Sequence, residues 1–170
     1  MTDRKARHMK LVGGAAASII IGAVLQAWPG QAAENEHKGR FVNNKVEISF
    51  VKVGDKEGHI VGTFHSTGVD FSNGEVATRF NSGTIDYVNW SGAARGQLLI
   101  VYDDGSTMHI DWQGEATIDE KKRRNLEGPY TCFGGSGRFE GIKCKGTWNC
   151  STLDNGSCVG EYTGTMTLTK

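Results

Sequence analysis

Tyr162-Thr163-Gly164-Thr165-Met166-Thr167-Leu168-Thr169 is the stretch of this 170-residue chain that decides its fold. Threonine occupies every second position, and tyrosine, glycine, methionine and leucine fill the positions between. Successive side chains of a strand point to opposite faces, so this alternation places one set in a core and the threonines in solvent. The same period of two recurs in Val46–Phe50 and Met108–Gln113, and no long stretch repeats with the period of a helix.

Turn signals separate the alternating runs. The chain has 24 glycines, and Asn-Gly and Asp-Gly pairs, which favour tight hairpins, fall at Asn73-Gly74, Asp104-Gly105 and Asn155-Gly156. Many short strands at regular spacing predict a sandwich or a barrel, and an antiparallel sheet with one apolar face closes most simply as a barrel. We therefore predict an all-β fold and favour a barrel. The predicted strands lie near residues 44–53, 59–66, 75–81, 84–90, 96–102, 107–113, 143–151 and 157–168, with a shorter one near 129–133.

One charged segment interrupts this pattern. Residues 119–126, with the sequence DEKKRRNL, are predicted to form either a helix or a charged loop in solvent.

The start of the chain has the composition of a secretory signal peptide. Arg4–Lys10 is basic, Leu11–Ala27 carries no charge, and Gly30 and Ala32 put small residues where a signal peptidase reads. The alternative is a retained membrane helix, but the uncharged stretch is at the lower limit of the roughly 17–25 residues that a span needs. Cleavage is the favoured prediction.

The predicted organisation is therefore a signal helix at residues 1–33 and a single domain at residues 34–170, periplasmic or secreted, with no stable membrane span after cleavage. The whole chain has 19 basic and 19 acidic residues, and residues 1–33 hold four of the basic and one of the acidic ones. The remaining 15 basic and 18 acidic residues give a formal charge of −3. No basic patch with interleaved aromatic residues remains, which argues against a nucleic-acid partner.

All four cysteines lie in the last quarter of the chain: Cys132, Cys144, Cys150 and Cys158. An even number in an exported protein predicts disulfides, and four cysteines allow three pairings. The loops between them favour Cys132 with Cys144 and Cys150 with Cys158. Because their positions are in phase with the apolar residues of their strands, we expect the bridges on the buried face. No Cys-x-x-Cys redox motif is present.

The residues that could carry chemistry are few. His59, His65 and His109 alternate with apolar neighbours and are expected to point outward, so no metal site and no cofactor are predicted. Glutamate and histidine residues fall mostly on the outward phase. The glycine-rich segment 134–141 is expected to be a hairpin connection, because no helix follows it. The candidate ligand-binding residues are the in-phase interior set: Tyr102, Met108, Ile110, Trp112, Trp148, Tyr162 and Met166.

Four segments carry a resemblance to a known family: residues 66–71 (STGVDF), 102–105 (YDDG), 111–114 (DWQG) and 133–142 (FGGSGRFEGI). They resemble the allene oxide cyclase and dirigent-like β-barrel superfamily, especially its bacterial exported members. The most specific mark is the Gly-Gly-Ser-Gly-Arg-Phe-Glu-Gly loop between two late strands. Two features depart from the family pattern, namely Gln113 where relatives often have glutamate, and the cysteine cluster.

The resemblance implies an eight-stranded antiparallel barrel with an apolar interior, often as a homo-oligomer. In plant cyclases that interior holds a fatty-acid epoxide, and in dirigent proteins it orients a reactive phenolic intermediate. Three functions follow as hypotheses for this chain. It binds a small lipophilic or aromatic molecule in the barrel, it serves a structural role in the cell envelope, or it is an isomerase or cyclase. The last requires an ionisable group inside the barrel.

Overall fold

The computed structural model describes residues 34–168, which form a closed barrel of antiparallel strands. Each strand pairs with its neighbours in sequence, and the last pairs with the first, from Asn35 opposite Met166 to Asn43 opposite Cys158. This confirms the all-β, eight-stranded antiparallel barrel; the predicted signal helix lies outside the described residues. The strands are β1 (Asn35–Lys52), β2 (His59–Ser72), β3 (Glu75–Val88), β4 (Ser91–Val101), β5 (Thr107–Ile118), β6 (Arg124–Ser136), β7 (Ile142–Thr152) and β8 (Cys158–Leu168).

Several predicted strands were too short, and one predicted division between strands was wrong. The runs near 75–81 and 84–90 form the single strand β3, because Gly83 continues the ladder and leaves space that the ring of Phe64 fills. The charged segment 119–126 contains no helix: only its first residues form a turn, and β6 begins at Arg124. Asp119 holds that turn, since its carboxylate accepts hydrogen bonds from the backbone N–H and the Nε–H of Arg123.

The eight strands give the barrel two different ends. The turns β2–β3, β4–β5 and β6–β7 form one end, where the 3-10 turn Gly137–Phe139 tucks the ring of Phe139 against Tyr102, with ring centroids 4.8 Å apart. We call this the closed end. The turns β1–β2, β3–β4, β5–β6 and β7–β8 form the other end, which we call the mouth.

Glycines on the inner face let aromatic rings lie along the barrel wall. A Cβ atom at Gly96 would sit 2.8 Å from the Trp112 ring, and one at Gly114 would sit 2.8 Å from the Trp148 ring. Any larger residue at either position would push its indole into the interior. The two indoles meet edge-on, with ring centroids 5.1 Å apart and an angle of 79° between their planes.

Both expected disulfides are present, Cys132 with Cys144 and Cys150 with Cys158. Cys144, Cys150 and Cys158 are buried in the interior, as their phase predicts. The bridges close loops of 12 and 8 residues, and each is worth about 3 kcal/mol in the chain-entropy model. Two disulfides fit an oxidising extracellular environment.

In residues 34–168 no helix is long and apolar enough to cross a membrane.

Candidate functional site

A cavity of about 90 Å3 lies inside the barrel. It extends from Tyr130 and Tyr162 in the interior to Arg124, the first residue of β6, and Thr152, the last residue of β7. Most of its wall is apolar or aromatic. This volume is several times the roughly 10–15 Å3 that a single water requires, and it is smaller than the roughly 300–1,000 Å3 of most ligand pockets.

The seven candidate ligand-binding residues divide into two groups. Four of them line this cavity: Ile110, Trp112, Trp148 and Tyr162. The other three pack in the core at the closed end: Tyr102 and Met108 are buried there, with the Tyr102 hydroxyl 3.4 Å from the Met108 sulfur, and Met166 packs against that core. A ligand role for the four remains a prediction.

A buried ion pair stands beside the cavity. Arg79 on β3 donates from Nη1 to Oδ2 of Asp70 on β2 at 3.2 Å, and both side chains are almost fully buried. The Tyr162 hydroxyl donates to Oδ1 of Asp70 at 2.8 Å. The Phe41 ring covers the guanidinium group, with its centroid 3.9 Å from Cζ. Three strands and one aromatic face therefore hold the pair in place.

Burial controls the protonation of this cluster. It raises the pKa of Asp70, and the positive charge of Arg79 and the hydrogen bond from Tyr162 oppose that rise. It lowers the pKa of Arg79 to about 10, against the pull of Asp70. Burial and the Asp70 charge also raise the pKa of Tyr162. The tyrosine is therefore a hydrogen-bond donor, and the cluster holds two opposite charges in an apolar interior.

A histidine lies on the other side of the same cluster. The Nδ1 atom of His37 on β1 lies 2.9 Å from the Tyr130 hydroxyl, and its ring packs against Tyr162 with centroids 4.9 Å apart. Burial lowers the pKa of His37 to about 4 and raises the pKa of Tyr130 to about 12. At neutral pH the imidazole is therefore uncharged, with one ring nitrogen as a hydrogen-bond donor and the other as an acceptor.

Five side chains of the cavity wall carry a buried polar atom with no hydrogen-bond partner within the described residues. These atoms are His37 Nε2, Asn43 Oδ1, Ser66 Oγ, Arg79 Nε and Arg124 Nε. A buried polar group without a partner costs about 1–3 kcal/mol, so native proteins rarely retain several in one place. Together these atoms offer hydrogen-bond donors and acceptors to a molecule in the cavity.

Solved structures match this chain over most of its length, among them two dirigent proteins. The pterocarpan synthase dirigent protein PsPTS1 is 15% identical, with a TM-score of 0.50 over 83% of this chain and 99% of that chain. The chain has the dirigent-like barrel fold. The pterocarpan synthase dirigent protein GePTS1 is 13% identical, with a TM-score of 0.49 over 83% of this chain and 89% of that chain. A scan against models of known protein families matches none, and a search of curated proteins gives no match.

The match to PsPTS1 confirms the resemblance that the sequence segments indicate, because dirigent proteins share the allene oxide cyclase-like barrel. At this identity the likeness shows the fold alone. The residues of the polar cluster must therefore carry any functional argument.

The three histidines that the sequence singles out do not belong to the dirigent-like interior. His65 is exposed, and His59 and His109 are half-buried on the outer face. His59 bonds to two exposed aspartates, Asp55 and Asp86. Among residues 34–168 no group of three or more histidine, cysteine, aspartate or glutamate side chains is placed to hold a metal ion.

Sequence reasoning missed the cluster, because it assumed that the inward phase is the apolar one. On β2 the inward residues near the closed end are polar, including Ser66 and Asp70, whereas Phe71 faces outward and is exposed. On β3 Arg79 faces inward and Phe80 outward. The available signal was this reversed alternation on two adjacent strands, since a polar inner face is unusual in a barrel core.

Proposed function

We propose that this barrel binds one small, largely apolar molecule that carries an oxygen-bearing polar group. The observation that carries the proposal is the convergence of unpartnered polar atoms from Asn43, Ser66 and Arg79 on one cavity with aromatic walls. Small-molecule sites combine an apolar lining with a few polar groups that fix the orientation of the ligand. Trp112 and Trp148 supply flat surfaces on which an aromatic ring could stack.

A purely structural role in the envelope has less support. A barrel selected only for stability gains nothing from a serine hydroxyl and an arginine Nε left without partners in its interior, because apolar residues there would be more stable. Sites where a protein retains buried polar groups that lower its stability are commonly functional. The polar cluster therefore favours ligand binding over a filled, inert core.

Removal of the Ser66 hydroxyl separates binding from stability. We expect a saturable change in tryptophan emission with at least one member of a panel of fatty acids and phenolic compounds. In Ser66→Ala we expect about tenfold weaker binding of that compound, because one hydrogen bond of about 1.4 kcal/mol is lost. We also expect the midpoint of urea unfolding to stay the same or rise.

The matched control is Ser82→Ala on the outer face, where the hydroxyl lies 3.0 Å from His65 Nδ1. Its ligand affinity should equal that of the parent. A flat emission response to the whole panel would count against binding, and equal weakening in both serine variants would count against this site.

The second candidate is an isomerase or cyclase, and a specific observation favours it. Ionisable groups do lie inside the barrel, since Asp70 and His37 are both buried there. His37 Nε2 is unpartnered on the cavity wall, and the neutral imidazole could act as a general base toward an acidic C–H bond of a bound molecule.

Proton exchange tests this second candidate without knowledge of the natural substrate. In deuterium oxide, NMR should show exchange at the acidic C–H position next to the carbonyl of a bound ketone, and His37→Gln should slow it by about a hundredfold or more. The outward variant His65→Gln should exchange at the parent rate. Equal exchange in the parent and in His37→Gln would exclude His37 as the base.

We further propose that the domain works outside the cytoplasm, either in the periplasm or secreted, after removal of residues 1–33. The two disulfides support this proposal, because such bonds persist in oxidising compartments. A homo-oligomer stays a prediction, which the molecular mass in solution tests.

A further inference from the structure

The charged side chains of the cavity wall are all cationic. Among residues 34–168 two arginines line the cavity, Arg79 and Arg124, and no aspartate or glutamate does. The one histidine in the wall, His37, is uncharged at neutral pH because burial lowers its pKa to about 4. Low-dielectric walls concentrate the field of the charges they carry, so a cavity lined by one sign of charge favours a ligand of the opposite sign.

The two arginines differ in how far their charge is already neutralised. Arg79 is paired with Asp70 at 3.2 Å, so an anion placed against Arg79 would also meet the charge of that carboxylate. Arg124 has no such partner: the adjacent Arg123 pairs with Asp119 at 2.9 Å, but no carboxylate within residues 34–168 forms an ion pair with Arg124. The uncompensated positive charge of the cavity is therefore at Arg124.

Aromatic rings hold the guanidinium of Arg124 in place. This half-buried residue begins β6 at the mouth, and its Cζ lies 5.8 Å from the ring centroids of both Tyr87 and Trp90, within the range of a cation–π contact. Its Nε is buried without a hydrogen-bond partner. Rings attract the cation without accepting its N–H groups, so the donors stay available. The planar fork of a guanidinium matches the two oxygens of a carboxylate.

We infer that the molecule bound in the barrel is a compact aromatic carboxylate, with its carboxylate on Arg124 at the mouth and its ring against Trp112 and Trp148. This inference rests on the proposed function and adds the charge and the orientation of the ligand. A cavity of about 90 Å3 favours a short ring system over a long acyl chain. An uncharged oxygen of the same molecule would face Ser66 and Arg79 deeper in the barrel, where a second negative charge would be repelled.

Calorimetric titration of the disulfide-bonded protein, recovered after export of the full chain, tests the inference. The probes are benzoate and naphthalene-2-carboxylate, each compared with the carboxamide of the same ring. We expect at least one carboxylate to bind about thirtyfold more tightly than its amide, because a guanidinium bonds a carboxylate more strongly than a neutral carbonyl. Arg124→Gln should abolish this preference and leave the affinity for the amide unchanged. Arg124→Lys, which keeps the charge but not the fork, should retain part of it.

Two further variants separate the mouth from the interior. Lys121→Gln is the matched control, because it removes the same charge from an exposed position in the β5–β6 turn, and it should keep the full preference for the carboxylate. Ser66→Ala should weaken the binding of acid and amide by the same factor, because its hydroxyl would contact the uncharged end of the ligand.

The comparison of acid with amide in the parent distinguishes this inference from the proposed function. Equal affinity for acid and amide would overturn the anionic ligand and leave a binding cavity. A preference that survives in Arg124→Gln, or that Lys121→Gln also abolishes, would overturn the role of Arg124. Tighter binding of hexadecanoate than of naphthalene-2-carboxylate would overturn the compact ring system. Binding of no acid and no amide would contradict both this inference and the proposed function.

Discussion

Replacing Arg79 with methionine is expected to lower the free energy of unfolding by about 3–5 kcal/mol, because it leaves a carboxylate buried without its ion partner. Asp70 is 1% exposed, and after the change the Tyr162 hydroxyl would still donate a hydrogen bond to its carboxylate. Burial already raises the pKa of Asp70 with the arginine present, so the unpaired group would take up a proton rather than stay charged. Urea-induced unfolding followed by circular dichroism measures the loss.

The double variant Asp70→Leu, Arg79→Met is the decisive comparison. Removing both charges leaves two apolar side chains of similar volume, and we expect it to recover most of the stability that the single variant loses. Arg95→Met is the matched single change, because Arg95 is exposed on β4, and it should alter stability by no more than about 0.5 kcal/mol. A double variant as unstable as Arg79→Met would show that the arginine acts through packing against Phe41 rather than through its charge.

Local patterns were enough to predict an all-β fold and to favour a barrel over a sandwich, and the family resemblance supplied the number of strands. Alternation along β8 and β5 predicts strands with one buried and one exposed face. The Asn-Gly and Asp-Gly pairs predict the tight turns at Gly74, Gly105 and Gly156. The loops between the cysteines predicted which disulfides form, and the phase of the cysteines predicted that the bridges are internal. The errors occurred where a local pattern is ambiguous. Gly83 interrupts the apolar run of β3 without breaking the strand, and a charged turn at Asp119 has the same composition as a short helix.

The candidate site could be predicted only in part, because its polar half depends on long-range contacts. The aromatic wall at Trp112 and Trp148 follows from alternation. The inward position of Asp70 is explained by its two hydrogen-bond partners, Arg79, nine residues away, and Tyr162, 92 residues away. A buried charge is stable only beside its partner. Nothing local in the sequence indicates that β8 and β2 lie close enough for their inward side chains to meet. The closed barrel brings them together by placing β1 between them.

Acidification is expected to destabilise the barrel through His37. The pKa of this imidazole is lowered by burial from 6.5 to about 4, so below pH 6.5 the unfolded chain binds a proton that the folded chain does not. Stability attributable to His37 is therefore complete above pH 6.5 and falls progressively toward pH 4, by about 3 kcal/mol in all. Urea unfolding at pH 7 and at pH 4.5 should show most of this difference.

The effect of His37 must be separated from that of Asp70, which has the opposite sign. Because the folded-state pKa of Asp70 is raised, protonation of that carboxyl at acid pH favours the folded chain and masks part of the loss. The difference between the parent and His37→Gln isolates the imidazole, since both keep Asp70.

We expect His37→Gln to be less stable than the parent at pH 7, where its amide replaces a well-packed ring, but to lose less stability on acidification. His65→Gln, on the outer face, should retain the acid sensitivity of the parent. If His37→Gln and the parent lose stability in parallel between pH 7 and 4.5, the imidazole is protonated in the folded barrel, and its role as a neutral base at the cavity fails with it.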